Sequence, residues 1–294
     1  MIKVNGIEVN AGTFPDGSMM LLDVPQTHFN NDYILIEWYY HSDTELITLI
    51  YLVNHYRALY GKSTKIKLFM PYIPNARMDR VKSTCEVFTL TYFASIINSL
   101  DFEKVYVLDP HSDVSTALID RVKVLDVSTY ISKTIEYIRE LNDKNSDFVI
   151  YFPDAGAYKR YKDLTIFDGM TKVYGKKVRD WKTGTILGLE IVDENENKLT
   201  ENYLSKKKVL MIDDIISYGG TFYYSALELK KYNPLLIYAY ATHVEPTSIW
   251  DNEKGKFGKL LLDRTIERLY TTNSIYDNSG EHVTTFKVDN TCLN

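Results

Sequence analysis

Along the 294-residue chain, short unbroken apolar runs alternate with longer stretches whose apolar residues recur at three- and four-residue spacing. The runs at 33–40, 66–70, 105–108, 148–152, 209–212 and 235–241 have strand length and are apolar throughout but for Glu37 and Lys67, which predicts strands buried on both sides in a parallel sheet. Residues 44–60 carry apolar side chains at 46, 49, 50, 53 and 56, the spacing of a helix with one buried face. Stretches 87–100, about 129–141 and 222–231 read as further helices, and 2–9 and 19–24 as short strands around a Pro- and Gly-bearing turn at 14–18. Residues 268–272 read as the last strand, before a polar tail from Tyr276. This alternation predicts an α/β protein of two tandem domains, each a mostly parallel sheet flanked by helices, with residues 1–125 in the first and 126–294 in the second.

Polar chemistry collects where these strands end. The run 209–212 meets Asp213 and Asp214, passes through Ile215 and Ile216, and turns at Ser217-Tyr218-Gly219-Gly220-Thr221 into a helix. Two carboxylates suit the vicinal hydroxyls of a sugar, and the N–H groups and hydroxyl of a helix start suit a phosphate. Together they describe a ribose 5-phosphate, although an acid pair and a Gly-Gly step also make an ordinary solvated turn. After 66–70 comes Pro71-Tyr72-Ile73-Pro74-Asn75-Ala76-Arg77-Met78-Asp79-Arg80, after 105–108 comes Asp109-Pro110-His111, and after 148–152 comes Pro153-Asp154-Ala155-Gly156 with Lys159 and Arg160 behind it. Charge at the carboxyl edge of an open sheet is where such folds bind ligands. Residues 171–184 hold a basic cluster, including Lys176, Lys177, Arg179 and Lys182, between strand-like flanks, either a solvated hairpin tip or a flap that brings cations to a polyphosphate.

Composition narrows the partners. Hydrophobic residues at 45% and charged residues at 25% are ordinary globular values, and a formal net charge of −5 argues against nucleic-acid binding through a broad basic face. The two cysteines, Cys85 and Cys292, show no metal-ligand spacing and point to a reducing cytoplasm. The start of the chain lacks the pattern of an export signal, and no apolar run approaches the ~18 residues that span a bilayer, so a soluble protein without membrane partners is expected.

The stretch 209–222 resembles the phosphoribosyl-pyrophosphate loop of the type I phosphoribosyltransferases. From about residue 14 to 275 the ordered loops are similar to those of the ribose-phosphate diphosphokinase (phosphoribosyl-pyrophosphate synthetase) family. Its Pro-Tyr-x-x-x-Ala-Arg-x-Asp-Arg is matched by Pro71, Tyr72, Ala76, Arg77, Asp79 and Arg80, and its Asp-Leu-His by Asp109-Pro110-His111. Its Pro-Asp-Ala-Gly is matched at 153–156, its Lys-Arg-Arg flap by Lys177-Val178-Arg179, and its Ala-Thr-His at 241–243. The resemblance implies two type I phosphoribosyltransferase-like domains and transfer of a diphosphate from ATP to the anomeric hydroxyl of ribose 5-phosphate. It implies catalytic roles for Lys177, Arg179 and His111, and Mg²⁺ held by His111 and Asp154. ATP would be bound by Phe14, Asp16, Arg77, Asp79, Arg80 and His111, and the ribose phosphate by Asp213, Asp214, Ser217, Tyr218, Gly219, Gly220 and Thr221. A homo-oligomer is implied, with the ATP site completed by a neighbouring subunit.

The departures bear on substrate choice. The family commonly has Asp-Thr-Ala-Gly-Thr where this chain has Ser217-Tyr218-Gly219-Gly220-Thr221, Gln where it has Met78, and Glu where it has Ser18. The family's first strand and helix, and its closing helix, have no evident counterpart. A tyrosine at the rim of the phosphate loop suits an aromatic base, so a larger acceptor such as ADP-ribose, giving its 1-pyrophosphate for NAD synthesis, stands as an alternative. A non-catalytic regulatory relative is a third reading, against which stand the retained Lys177, Arg179 and His111.

Overall fold

In the computed structural model, which describes residues 1–26, 32–141, 148–179, 186–250, 256–288 and 290, with the backbone alone at 178, 179, 186, 187 and 250, the chain divides into two units. The first is Met1–Asp126, to which Val288 returns, and the second is Val127–Lys287.

Unit 1 runs β1 (Ile2–Val4), β2 (Ile7–Val9), β3 (Ala11–Thr13), β4 (Met19–Leu21), β5 (Ile34–Trp38), α1 (Thr44–Tyr60), β6 (Ile66–Phe69), α2 (Thr89–Ser99), β7 (Lys104–Leu108), α3 (Asp113–Leu118) and β8 (Val122–Leu125). Asn5 and Gly6, both at positive φ, make the two-residue turn that joins β1 to β2. The sheet order is β2-β1-β5-β6-β7-β8, parallel from β5 to β8 and antiparallel at β1 and β2. β3 and β4 form a separate antiparallel hairpin. Every residue of β5 is buried, and α1 lays Leu49, Leu52, Val53 and Tyr56 on the core, its buried stripe centred as the spacing predicts.

Unit 2 runs α4 (Ser128–Glu140), β9 (Phe148–Phe152), α5 (Ala155–Tyr161), β10 (Thr171–Arg179), β11 (Ile186–Asp193), β12 (Lys208–Ile216), α6 (Gly220–Lys230), β13 (Leu236–Val244), α7 (Thr247–Trp250), α8 (Phe257–Leu262), β14 (Arg268–Thr272) and β15 (Val283–Phe286). Its sheet order is β11-β10-β9-β12-β13-β14-β15, parallel except where β11 folds back along β10. Each sheet is thus mostly parallel and flanked by helices, as expected. Among the described residues no helix is long and apolar enough to cross a membrane.

Three readings of the sequence need correction. β12 does not stop at the acids but continues through Asp213 and Asp214 to Ile216, because the apolar side chain of Ile216 is buried in the core. β13 likewise runs through Thr242 and His243, whose side chains are buried; His243 Nδ1 lies 2.8 Å from Ser274 Oγ, a structural contact between strand ends. The last strand is β15, not β14, and it pairs with β14 in parallel from Leu269↔Val283.

Where β12 turns into α6, Gly219 adopts φ +74°, and a Cβ there would lie 2.5 Å from Cβ of Phe257. Phe257 packs edge-on against Phe222 of α6 with ring centroids 5.5 Å apart, so α8 clamps the start of α6. Gly219→Ala is therefore expected to cost about 2 kcal/mol, through a strained backbone and a forced shift of α8. That lowers Tm by roughly 4–8 °C. Gly220→Ala, whose Cβ meets nothing within 4 Å, serves as the control and is expected to leave Tm within a degree or two in the same scanning-calorimetry experiment.

Candidate active site

Four consecutive apolar residues of β12, Val209 to Ile212, are fully buried and fix the strand between β9 and β13. Their burial contributes roughly 1.5–3 kcal/mol each. That is enough to hold in place the two carboxyl groups that follow, whose desolvation costs several kcal/mol. Asp214 is buried, and its Oδ2 lies 3.5 Å from Nη1 of Arg160 on α5. Asp213 is half-buried and accepts the N–H of Asp214 at 3.0 Å. Desolvation, and then the charge of Asp214, push the Asp213 carboxyl well above its ordinary value of 3.8. The pair thus resists carrying two negative charges, and hydroxyl donors or a cation placed beside it would favour the charged form.

The phosphate-loop residues follow directly. Ser217 Oγ donates to Glu245 Oε2 at 2.6 Å, and the Tyr218 carbonyl accepts the Lys256 N–H at 2.8 Å. Tyr218 is 53% exposed. Gly219 in the left-handed conformation opens α6, and Gly220 and Thr221 supply its first turn. A helix start presents N–H groups and the positive end of its dipole, an arrangement able to receive a phosphate.

Asp154 caps α5, its Oδ1 accepting the N–H groups of Gly156 and Ala157 at 2.9 and 3.1 Å. Its Oδ2 accepts Lys177 Nζ from β10 at 3.1 Å. Burial pushes the Asp154 carboxyl up, but the Ala157 N–H and Lys177 more than offset it and the carboxyl stands below its ordinary value. β10 approaches this closely because Gly175 has no side chain: a Cβ would lie 2.5 Å from the Pro153 carbonyl oxygen and 2.7 Å from the Tyr151 hydroxyl. Tyr158 of α5 stacks on Tyr174 of β10 at 4.4 Å, which ties Asp154 and Lys177 to elements fixed on each other. The side chain of Arg179 and the hairpin tip at 180–185 lie outside the described residues, as does Cys292.

In unit 1, Arg80 forms a fork on Asp79, with Nε to Oδ1 at 2.8 Å and Nη2 to Oδ2 at 3.4 Å. The hydrogen bond from Arg80, joined by Ser112 and by the Arg80 charge, holds the Asp79 carboxyl below its ordinary range, with His111 close enough to act on it. The 71–80 loop and the 109–112 loop therefore meet at Asp79 and His111. Phe14 is 50% exposed on the β3–β4 hairpin, and Asp16 is occupied in its own turn by the N–H and Oγ of Ser18 at 2.9 and 2.6 Å. Among the described contacts none joins Phe14 or Asp16 to Arg77, Asp79, Arg80 or His111.

Site partners not singled out in the sequence are Glu245, Lys256, Phe257 and, as a partner of the acids, Arg160. All four act across long stretches of chain, and only the basic pair Lys159-Arg160 beside the 153–156 loop carried a local signal.

The fold is that of the type I phosphoribosyltransferases in tandem. Its match to the crystal structure of phosphoribosylpyrophosphate synthetase from Mycobacterium smegmatis covers 95% of this chain and 86% of that one, with a TM-score of 0.69 and 16% identity. No family model matches the chain. Among curated proteins, it is 26% identical over 278 residues to the ribose-phosphate pyrophosphokinase of Sulfurisphaera tokodaii, covering 94% of this chain and 87% of that protein. It is 28% identical over 276 residues to that of Thermococcus kodakarensis, covering 92% and 86%. The chain thus resembles the ribose-phosphate pyrophosphokinases over more than nine-tenths of its length.

Asp213 supplies a test by pH. A carboxyl raised in the folded state contributes stability fully present below its ordinary 3.8 and lost as pH rises through the folded value. Asp213→Asn removes the ionisation, so its Tm is expected to exceed that of the wild type at pH 7.5, with the gap closing as pH is lowered towards 4. A gap that is absent at pH 7.5, or that widens on acidification, contradicts the assignment.

Proposed function

We propose that the protein is an ATP-dependent diphosphokinase acting on the anomeric hydroxyl of a ribose 5-phosphate, forming phosphoribosyl pyrophosphate and AMP. The observation that carries this reading is the continuity of β12 and α6, which sets two carboxyl groups and a phosphate-binding helix start a few residues apart. The similarity to ribose-phosphate pyrophosphokinases across the chain supports it.

On this reading Asp213 and Asp214 accept the ribose hydroxyls, while Ser217, the N–H groups at 218–221 and the Thr221 hydroxyl hold the 5-phosphate. The anomeric oxygen bonds the β-phosphorus of ATP, the bond from that phosphorus to the α-phosphate oxygen breaks, AMP departs with the electron pair, and the hydroxyl proton passes to water. Negative charge spreads over the phosphate oxygens, so positioning and cations dominate catalysis. Lys177 supplies one such cation. An exposed pair of its kind is worth about 1 kcal/mol at most, so release from Asp154 is a small cost. Arg179 is proposed to act with it. In unit 1 Arg77 and Arg80 are the proposed grip on the triphosphate, with His111 beside Asp79, and Phe14 and Asp16 are proposed for the adenine.

Mg²⁺ is the proposed metal. Among the described residues no three His, Cys, Asp or Glu side chains come together, so there is no all-protein cage. Mg²⁺ instead takes one or two protein ligands with water and substrate phosphates. His111 and Asp154 are the proposed ligands, and Asp213 is a carboxyl that a nearby cation would return to its charged form. When bound, the ion neutralises charge on the transferring diphosphate. A cytoplasmic homo-oligomer is the setting the resemblance implies.

A second reading keeps the chemistry and enlarges the acceptor to ADP-ribose. It is favoured by Tyr218 at the loop rim and by a cleft of about 780 Å³ that begins at Gly220 and Thr221.

Purified protein with ATP, Mg²⁺ and ribose 5-phosphate or ADP-ribose is expected to release AMP and the matching 1-pyrophosphate, read by mass spectrometry. If no AMP is released with either acceptor, a non-catalytic relative is favoured and the proposal ends. Lys177→Ala is expected to lower kcat about 10²–10³-fold with a smaller change in KM for the acceptor. An unchanged kcat removes Lys177 from the chemistry.

A further inference from the structure

The cleft that starts at the phosphate grip extends well past a sugar phosphate. It is lined on one side by α6 from Gly220 and Thr221 through Tyr224 and Leu227 to Lys231, and on the other by Leu189 of β11. From Gly220 to Lys231 the helix rises about 16 Å. Pro153 and Lys177 line its end next to Gly220 and Thr221, whereas neither Asp213 nor Asp214 lines it, so the space runs from the Lys177 ammonium along α6 and not around the two carboxyl groups. Its volume, about 780 Å³, falls within the roughly 300–1,000 Å³ of sites that enclose drug-sized ligands. Its walls are those of a ligand site, apolar side chains with a few placed charges.

A second feature points the same way. Tyr224 is 57% exposed in the cleft wall and accepts Lys256 Nζ at 3.0 Å on its hydroxyl, with that ammonium 4.8 Å from its ring centre. The backbone N–H of Lys256 in turn holds the Tyr218 carbonyl. An exposed aromatic ring and a cation are therefore fastened to the rim of the phosphate loop. A flat base stacks on such a ring, and an ammonium ion suits a bridging phosphate.

We infer that this cleft is the subsite for a nucleotide carried on the 5-phosphate of the acceptor, so that the preferred acceptor is a nucleoside-diphosphate ribose of the ADP-ribose class. Tyr224 stacks the base, Lys256 faces the diphosphate bridge, and Leu189 and Leu227 enclose the nucleoside. The inference rests on the placement of the ribose phosphate proposed above, and it moves the base contact from Tyr218 to Tyr224.

Isothermal titration without ATP separates the two. ADP-ribose is expected to bind at least tenfold more tightly than ribose 5-phosphate, and saturating ribose 5-phosphate is expected to displace it. Tyr224→Ala is expected to reduce the affinity ratio of the two ligands about tenfold. Gly188→Leu, which adds bulk to the cleft wall where a Cβ meets nothing within 4 Å, is expected to reduce it similarly without disturbing the fold. Equal affinities, ratios unmoved by both variants, or ADP-ribose binding that survives saturating ribose 5-phosphate overturn the inference while leaving the proposed reaction standing. Failure of both ligands to bind overturns the ribose-phosphate site itself.

Discussion

Two adjacent carboxyl groups inside a buried strand are the constraint on which unit 2 depends. An isolated acid pair in such a place would be expelled to solvent, and here the fully buried Val209–Leu210–Met211–Ile212 run and the buried Ile216 beyond it hold the strand on both sides of the pair. Arg160 balances part of the charge from a neighbouring helix, and Asp213 stays reluctant to ionise. The fold keeps this unfavourable arrangement a short step from the left-handed Gly219 that opens α6. Such an electrostatic cost beside a helix start suits the sugar phosphate proposed above, with hydroxyls at one end and phosphate at the other.

The same economy of position governs the flap. Gly175 lets β10 lie against Pro153 and Tyr151, and that closeness brings Lys177 to Asp154. The buried Tyr151 hydroxyl donates to Ser225 of α6 at 2.8 Å, so strand β9, the flap strand and the phosphate helix are linked through one tyrosine. Lys177 is thereby held on a weak, half-exposed pair in the cleft that Gly220 and Thr221 also line, a position in keeping with the role proposed for it.

Much of this was legible in residue order. The 3.6-residue spacing from 44 to 60 locates α1 because the helix buries one face, and the unbroken apolar run 148–152 locates β9 because every residue of that short strand is buried. β8 and β15 escaped notice because Val122-Lys123-Val124-Leu125 and Val283-Thr284-Thr285-Phe286 are short edge strands, partly exposed, defined by pairing with distant partners. The end of β12 was misplaced because charge usually ends a buried run, whereas here the acids are carried within it. The loop acids and glycines could be seen in sequence; Arg160, Glu245 and Phe257 could not be assigned to them, since those contacts close only when helices and strands far apart in sequence fold together.

The crystallographic position of ribose 5-phosphate bound to the protein tests the central claim most directly. The vicinal hydroxyls are expected within about 3 Å of the Asp213 and Asp214 carboxyl oxygens and the phosphate on the N–H groups that open α6. A sugar phosphate bound away from β12, or lying with its phosphate at the acids and its hydroxyls at the helix, would contradict it.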